Sequence, residues 1–239
     1  MRVVISFTTL PHRLLNCQEM INSLFVQTRP INRIVMSVPD FCCRESVFYE
    51  IPFWFPPDIE IIHAGKDLGP AMKLIPILKQ EMDPDTCIIT VDDDISYDPH
   101  LVQELLAFAE KNPSDACGFM GTTVHGGFIH SEHIAGPCQV DILGGYRGVL
   151  YRRSFFDDRI FNEIEELNKE GVFLTDDQLF AWHLERNHVN RFVIPTAYRY
   201  PDKPYNFKFL NLGGGVYEDD GGAKSRPSLE RVKKLYGKT

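Results

Sequence analysis

The sequence has no Cys-x-x-Cys pair, no internal repeat, no surplus of positive charge and no apolar run of membrane-spanning length. The first absence argues against a structural zinc site. The second excludes solenoid and propeller arrays. The third counts against a binder of the nucleic-acid backbone, because the net charge is −8. The fourth leaves no candidate for a bilayer-crossing helix, which takes roughly 20 apolar residues. Of the six cysteines, Cys17, Cys42, Cys43, Cys87, Cys117 and Cys138, only Cys42 and Cys43 are close in sequence, and adjacent cysteines rarely bridge. Several sit in apolar runs as small core residues, so a reduced, cytoplasmic protein is expected. The first residues, "RVVISFTT", read directly as a strand and lack the pattern of a signal peptide.

What is present is ordinary globular composition, 44% hydrophobic and 24% charged over 239 residues. Continuous apolar runs at 3–7, 33–39, 59–62 and 87–91 read as buried strands. Between them lie helical patterns: Leu14, Cys17, Met20, Ile21, Leu24 and Phe25 recur at three and four, and "PHLVQELLAFAEKN" carries Leu101, Leu105, Leu106 and Ala109 on one face. "KDLGPAMKLIPILKQ" reads as a helix entered through Gly69-Pro70 and disturbed at Pro76. Beyond residue 115, short apolar segments at 117–121, 140–143 and 147–151 alternate with Gly-rich turns. "FNEIEELNKE" reads as a helix and "RFVIP" as a last strand. Strand–helix alternation with fully apolar strands predicts an α/β fold with a mostly parallel sheet covered on both faces. Ligands of such sheets bind beyond the carboxyl ends of the strands.

"CIITVDDDISYDP" places Asp92, Asp93 and Asp94 at such an end. Like charges this close repel, and burying them is costly without a countercharge. A solvated turn is the plain explanation; a divalent metal is the chemical one. In an extended chain rising ~3.3 Å per residue, Asp92 and Asp94 would point the same way, with Asp93 opposite. Hard carboxylate oxygens select magnesium or manganese, which keep open positions for phosphate.

A strand followed by Asp-x-Asp, a short loop and a helix resembles the GT-A-fold, family 2-like nucleotide-sugar glycosyltransferases. "ISFTTLPHRL" resembles their first strand and nucleotide loop, and "KDLGPAMKL" their Asp-x-Gly-Pro-x-x-Lys segment. "LGGYRGVLYRRSFF" followed by "FLTDDQLFAWHLERN" resembles the acceptor-side strand and an acidic pair opening a late helix. The likeness runs over residues 3–195. It implies one catalytic domain over 1–200, with a nucleotide-binding half at 1–98 and an acceptor half at 115–200. The remaining tail, 201–239, carries Lys224, Arg226, Arg231, Lys233 and Lys234, and is either a lid over the diphosphate or a solvated terminus.

The resemblance also distributes roles. Asp94 would ligate Mn2+ or Mg2+, Asp92 would hold a metal-bound water or the ribose, and Asp93 would support the loop. Thr8 and Thr9 would meet base and ribose, with Arg13 beside them or simply solvated. Asp67 would accept from a pyrimidine nitrogen or serve as a helix-start acid. Lys73 would neutralise phosphate charge from a helix start. Asp177, with Asp176 as second choice, would take the proton of the acceptor hydroxyl, since an alcohol is a poor nucleophile until deprotonated. Both acids also suit the first turn of a helix capped by Thr175. Gly145, Tyr146 and Arg147 would lie against donor sugar or acceptor, or form a plain turn.

The implied partners are a UDP- or GDP-sugar and a glycan, glycoprotein or lipid-linked acceptor, with sugar transfer by inversion. A nucleotidyltransferase is one alternative, although "TTLPHR" lacks the Gly-rich signature expected there. A non-catalytic nucleotide or carbohydrate binder is the other. His125, His130 and His133 cluster as in a zinc loop, but the loop's polarity favours an acceptor-side or surface position. Phe53, Trp54 and Phe55 form either a sugar platform or core packing; His183 and His188 read as partly core.

Overall fold

Eight strands form the central sheet of the computed structural model, which describes residues 1–123, 127–168, 176–196 and 207–213. In chain order they are β1 (Val3–Phe7), β2 (Arg33–Val38), β3 (Ile59–His63), β4 (Cys87–Thr90), β5 (Ala116–Gly118), β6 (Cys138–Gln139), β7 (Val149–Arg152) and β8 (Arg191–Val193). Their spatial order is β6-β8-β5-β7-β4-β1-β2-β3. The block β4-β1-β2-β3 is parallel throughout. β7 runs against both β4 and β5, β8 lies parallel to β5, and the short β6 opposes β8. The described helices are α1 (Pro11–Leu14), α2 (Gln18–Phe25), α3 (Ile75–Gln80), α4 (Leu101–Ala109), α5 (Arg159–Asn168) and α6 (Asp176–Arg186).

The continuous apolar strands exist because both faces of the sheet are covered. Val3, Ile5 and Phe7 point to a core shared with Leu14, Met20, Ile21 and Leu24 of α1 and α2 and with Leu101 and Leu105 of α4. Val4, Val35 and Ile88 point the other way, to Ile75 and Leu78 of α3, Ile160 and Ile164 of α5, and Leu179 and Phe180 of α6. Side chains alternate faces along a strand, so each strand feeds two cores. Fully burying each of these aliphatic side chains contributes about 1.5–3 kcal/mol. All six cysteines are unpaired. Among the described residues, no helix is long and apolar enough to cross a membrane.

Some sequence expectations need correcting. The segment after Gly69 is a 3-10 turn, Gly69–Lys73, followed by a separate α3. Pro76 sits in the first turn of α3, where its missing N–H costs nothing, and disturbs no helix. Lys73 consequently closes a 3-10 turn and does not begin an α-helix. Phe55 is buried and Trp54 packs on the core, whereas Phe53 is fully exposed, so the three form no common platform. His183 is a core residue, stacked on Phe156 and bonded to Glu163 at 3.0 Å. Part of the stretch read as a tail belongs to the body: Phe207–Phe209 pairs antiparallel with Ile95–Tyr97.

Gly121 is required by close approach. A methyl group there would lie 2.7 Å from the Ile142 carbonyl and 2.8 Å from Val140, whereas one at Gly136 meets nothing within 4 Å. Gly121→Ala should therefore lower stability by about 1–3 kcal/mol through forced displacement. In a chain of this size that is a fall of roughly 3–10 °C in melting temperature. Gly136→Ala, measured alongside by thermal unfolding, should leave it unchanged.

Candidate functional site

β1 and β4 are parallel neighbours with Ser6 opposite Thr90, so the loops leaving them emerge side by side. β7 runs in reverse and places its first residue, Val149, opposite Thr90. The turn preceding β7, Gly145–Arg147, therefore arrives at the same edge. The start of α6 meets that turn, because the Gly145 N–H donates to both Asp177 carboxylate oxygens at 3.1 and 3.2 Å. Four segments distant in sequence thus converge at the carboxyl end of the sheet.

The acid loop is not extended. β4 ends at Thr90, and Asp93 and Asp94 form a turn. Asp92 and Asp94 take different cations as partners. Asp92 Oδ1 accepts from Lys73 Nζ at 2.8 Å. Asp93 is buried and accepts from Thr9 Oγ1 at 2.6 Å and from Arg13 Nη1 at 2.7 Å. The same Arg13 nitrogen reaches Asp94 Oδ2 at 3.1 Å. Asp92 and Asp94 keep 30% and 32% of their side-chain surface exposed, so these two, and not Asp93, face the cleft. Burial, then Asp92 and Asp93, push the Asp94 carboxyl up to about 6.

Asp176 and Asp177 open α6, where the helix end favours negative charge. Asp176 is buried and pairs with Lys73 Nζ at 3.0 Å. Asp177 keeps an edge at the surface. Burial and the neighbouring Asp176 outweigh Lys73, and raise the Asp177 carboxyl to about 7. Desolvation and like charge win over the helix terminus here.

Several residues hold this arrangement without having been anticipated. The Tyr97 hydroxyl accepts from the Asp92 N–H at 2.8 Å and donates to the Tyr146 carbonyl at 2.9 Å, tying the acid loop to the Gly145 turn. The Tyr49 hydroxyl donates to the Thr9 carbonyl at 2.6 Å. The Leu210 N–H donates to the Asp94 carbonyl at 2.7 Å, and the Gly213 carbonyl accepts from Arg13 Nε at 2.7 Å. None of these pairings leaves a local signal; each depends on segments meeting in the fold.

Other sequence candidates fall as follows. Thr8 is half-buried where β1 ends. Asp67 accepts from the backbone N–H groups of Cys43 and Gly69, both at 2.8 Å, so it shapes the turn that carries Lys73. Arg147 pairs with Glu132 and lies 4.6 Å from the Phe207 ring centroid, so its charge is already engaged. Tyr146 is partly buried, its ring 5.9 Å from that of Phe209. Thr175, His125 and the five tail cations lie outside the described residues.

Among the described residues, Lys73 pairs with Asp92 and Asp176 and Arg13 with Asp93 and Asp94; with Asp177 these five acids exceed the two cations by three negative charges if all ionise. An incoming diphosphate would add to this excess. Among the described residues no three His, Cys, Asp or Glu side chains form a metal cage. A magnesium-like ion takes one or two carboxylates and completes its shell with water and phosphate oxygens. The part-exposed, hard oxygens of Asp94 and Asp92 fit that donor chemistry.

No protein-family model and no curated protein matches the sequence. Solved structures do. S. aureus TarS, residues 1–349, matches with a TM-score of 0.58 and 19% identity, over 99% of this chain and 64% of that one. TarS in complex with UDP-GlcNAc matches with a TM-score of 0.58 and 16% identity, over 98% and 66%. The fold is GT-A-like. The present chain spans about two thirds of the TarS chain in each pairing. A Francisella tularensis cytidylyltransferase, IspD, matches with a TM-score of 0.46 and 12% identity. At these identities the likeness concerns the GT-A architecture alone.

A raised carboxyl makes a signed prediction for stability. Between its ordinary value near 3.8 and about 7, Asp177 holds its proton in the folded state and loses it in the unfolded one. The folded state then binds more protons, so stability falls as pH rises through this window. Asp177→Asn removes the buried charge while keeping an acceptor for Gly145. It should raise the melting temperature most at pH 8, clearly less at pH 5, and hardly at all below pH 4. A difference that does not change with pH would contradict the assignment.

Proposed function

We propose that this chain is a cation-dependent glycosyltransferase that moves a sugar from a UDP- or GDP-sugar to an acceptor hydroxyl with inversion. The observation that carries the reading is the pairing of two kinds of acid at one sheet edge. Asp94 and Asp92 lie half-exposed beside the loop leaving β1, and Asp177 sits across Lys73 with its carboxyl near 7. The GT-A-like fold and the UDP-GlcNAc and UDP found with TarS support a nucleotide-sugar donor.

Asp94 and Asp92 would hold Mn2+ or Mg2+. When bound, the ion neutralises charge that grows on the leaving diphosphate. Thr8, at the end of β1, would border the nucleoside. Thr9 and Arg13 act one layer below, holding the acid loop through Asp93. Asp177 takes the proton of the acceptor hydroxyl while that oxygen bonds to the anomeric carbon. The bond from that carbon to the diphosphate oxygen breaks with its electron pair, and the nucleoside diphosphate leaves. A single displacement inverts the anomeric carbon. A base works best when its proton affinity lies near the working pH, and Asp177 meets that condition without full exclusion from solvent. The catalytic unit in this reading is residues 1–200.

Gly145 makes the seat of the base possible. A methyl group on it would lie 2.9 Å from Asp177 Oδ1 and 2.7 Å from Lys73 Nζ, both ends of side chains. Gly145→Ala should therefore lower the melting temperature by displacing Lys73 and Asp177, and lose about 10–100-fold in transfer, as misplaced catalytic groups do.

The direct test is nucleoside diphosphate release from UDP-GlcNAc in the presence of Mn2+, with calorimetric donor binding in parallel. Asp177→Asn should keep donor binding and lose about 100-fold or more in turnover. Asp94→Ala should lose donor binding itself. Full turnover by Asp177→Asn would refute its role as base. Release of pyrophosphate in place of nucleoside diphosphate would replace sugar transfer by nucleotidyl transfer.

A further inference from the structure

Lys73 stands out as a fully enclosed cation between the two acid groups. Its side chain is 4% exposed. Nζ lies 2.8 Å from Asp92 Oδ1 and 3.0 Å from Asp176 Oδ2. A methyl group at Gly145 would come within 2.7 Å of it, so the ammonium is packed from the turn side as well. It hangs from the 3-10 turn Gly69–Lys73, which Asp67 pins through the Gly69 N–H. Reaching a diphosphate oxygen would mean leaving the buried Asp176 and the part-exposed Asp92 without their cation, and an unpaired buried carboxylate is costly.

We infer that Lys73 is a positioning residue shared between the cation-holding acids and the base helix, through which occupancy at one is felt at the other, and not a ligand of the donor phosphates. The inference rests on the proposed cation site at Asp94 and Asp92. One positive charge divided between Asp92 and Asp176 leaves Asp92 only partly neutralised. The part of Asp92 charge that remains is available to a divalent ion. When Asp176 loses its charge, Lys73 turns its whole field on Asp92, and the ion must compete with it. The groups facing Lys73 from the packed elements are Asp92 of the acid loop, Asp176 and Asp177 of α6, and the Gly145 backbone. Coupling of this kind is a free energy shared by two sites and is therefore reciprocal.

The experiment is a titration of Mn2+ into the intact chain without donor, following free Mn2+ by electron paramagnetic resonance. Asp176→Asn, which is isosteric and far from solvent, should weaken Mn2+ binding roughly three- to tenfold relative to the unsubstituted chain, the size of a contact-pair coupling. In a Lys73→Met background the same Asp176→Asn change should have no effect on Mn2+ affinity. An unchanged affinity in Asp176→Asn, with Mn2+ binding otherwise intact, overturns the shared-charge role alone. An equal loss in both backgrounds overturns it too, since the effect then bypasses Lys73. Should Lys73→Met not fold, Lys73→Gln serves as the second background, with the same two outcomes. If the unsubstituted chain binds no Mn2+, both the cation reading and the coupling fall.

Discussion

Two buried cations holding four carboxylates in place, beside a fifth at Asp177, is the constraint on which this site depends. Lys73 draws Asp92 and Asp176 together, and Arg13 draws Asp93 and Asp94 together. Neither set can neutralise itself. Taking charges out of water is expensive unless partners and hydrogen bonds replace the solvent. Here the replacement is incomplete, and the deficit appears as carboxyl groups pushed up to about 6 at Asp94 and about 7 at Asp177. Stability is given up at the place where chemistry is expected, a pattern common to active sites.

The sheet explains why these groups can meet. A parallel pair, β1 and β4, delivers two loops to one edge. The reversed β7 delivers the Gly145 turn to that edge from the opposite direction. The segment Phe207–Gly213 then closes over the acid loop, through its strand pairing, the Leu210 N–H and the Gly213 carbonyl. Side chains positioned by several distant segments are hard to displace singly, because each is held by partners from another element.

Much of this was legible from residue order. The apolar runs read at 3–7, 33–39 and 87–91 hold strands buried on both faces, and the run at 59–62 holds the edge strand, where Glu60 and His63 are exposed; burial leaves a plain signature in sequence. The acids at 92–94 and 176–177 announced themselves by their cost. Their geometry did not. Asp93 and Asp94 lie in a turn, and Asp92 and Asp94 take different cations as partners, which an extended-chain reading cannot foresee. Lys73 could be placed near the site but not turned inward, because its orientation is decided by Asp176, more than a hundred residues away. Tyr97, Tyr49 and Glu132 carried no pattern at all; a tyrosine in a strand is usually packing, and only the assembled fold gives its hydroxyl a partner.

On the proposed reading, the acids at this sheet edge, which outnumber their cation partners among the described residues, require a divalent ion before a nucleoside diphosphate binds. Calorimetric titration of UDP into the intact chain, once with Mn2+ and once with the metal chelated, tests it most directly. The account predicts saturable binding with Mn2+ and none measurable without it. Equal affinity in both conditions would contradict it.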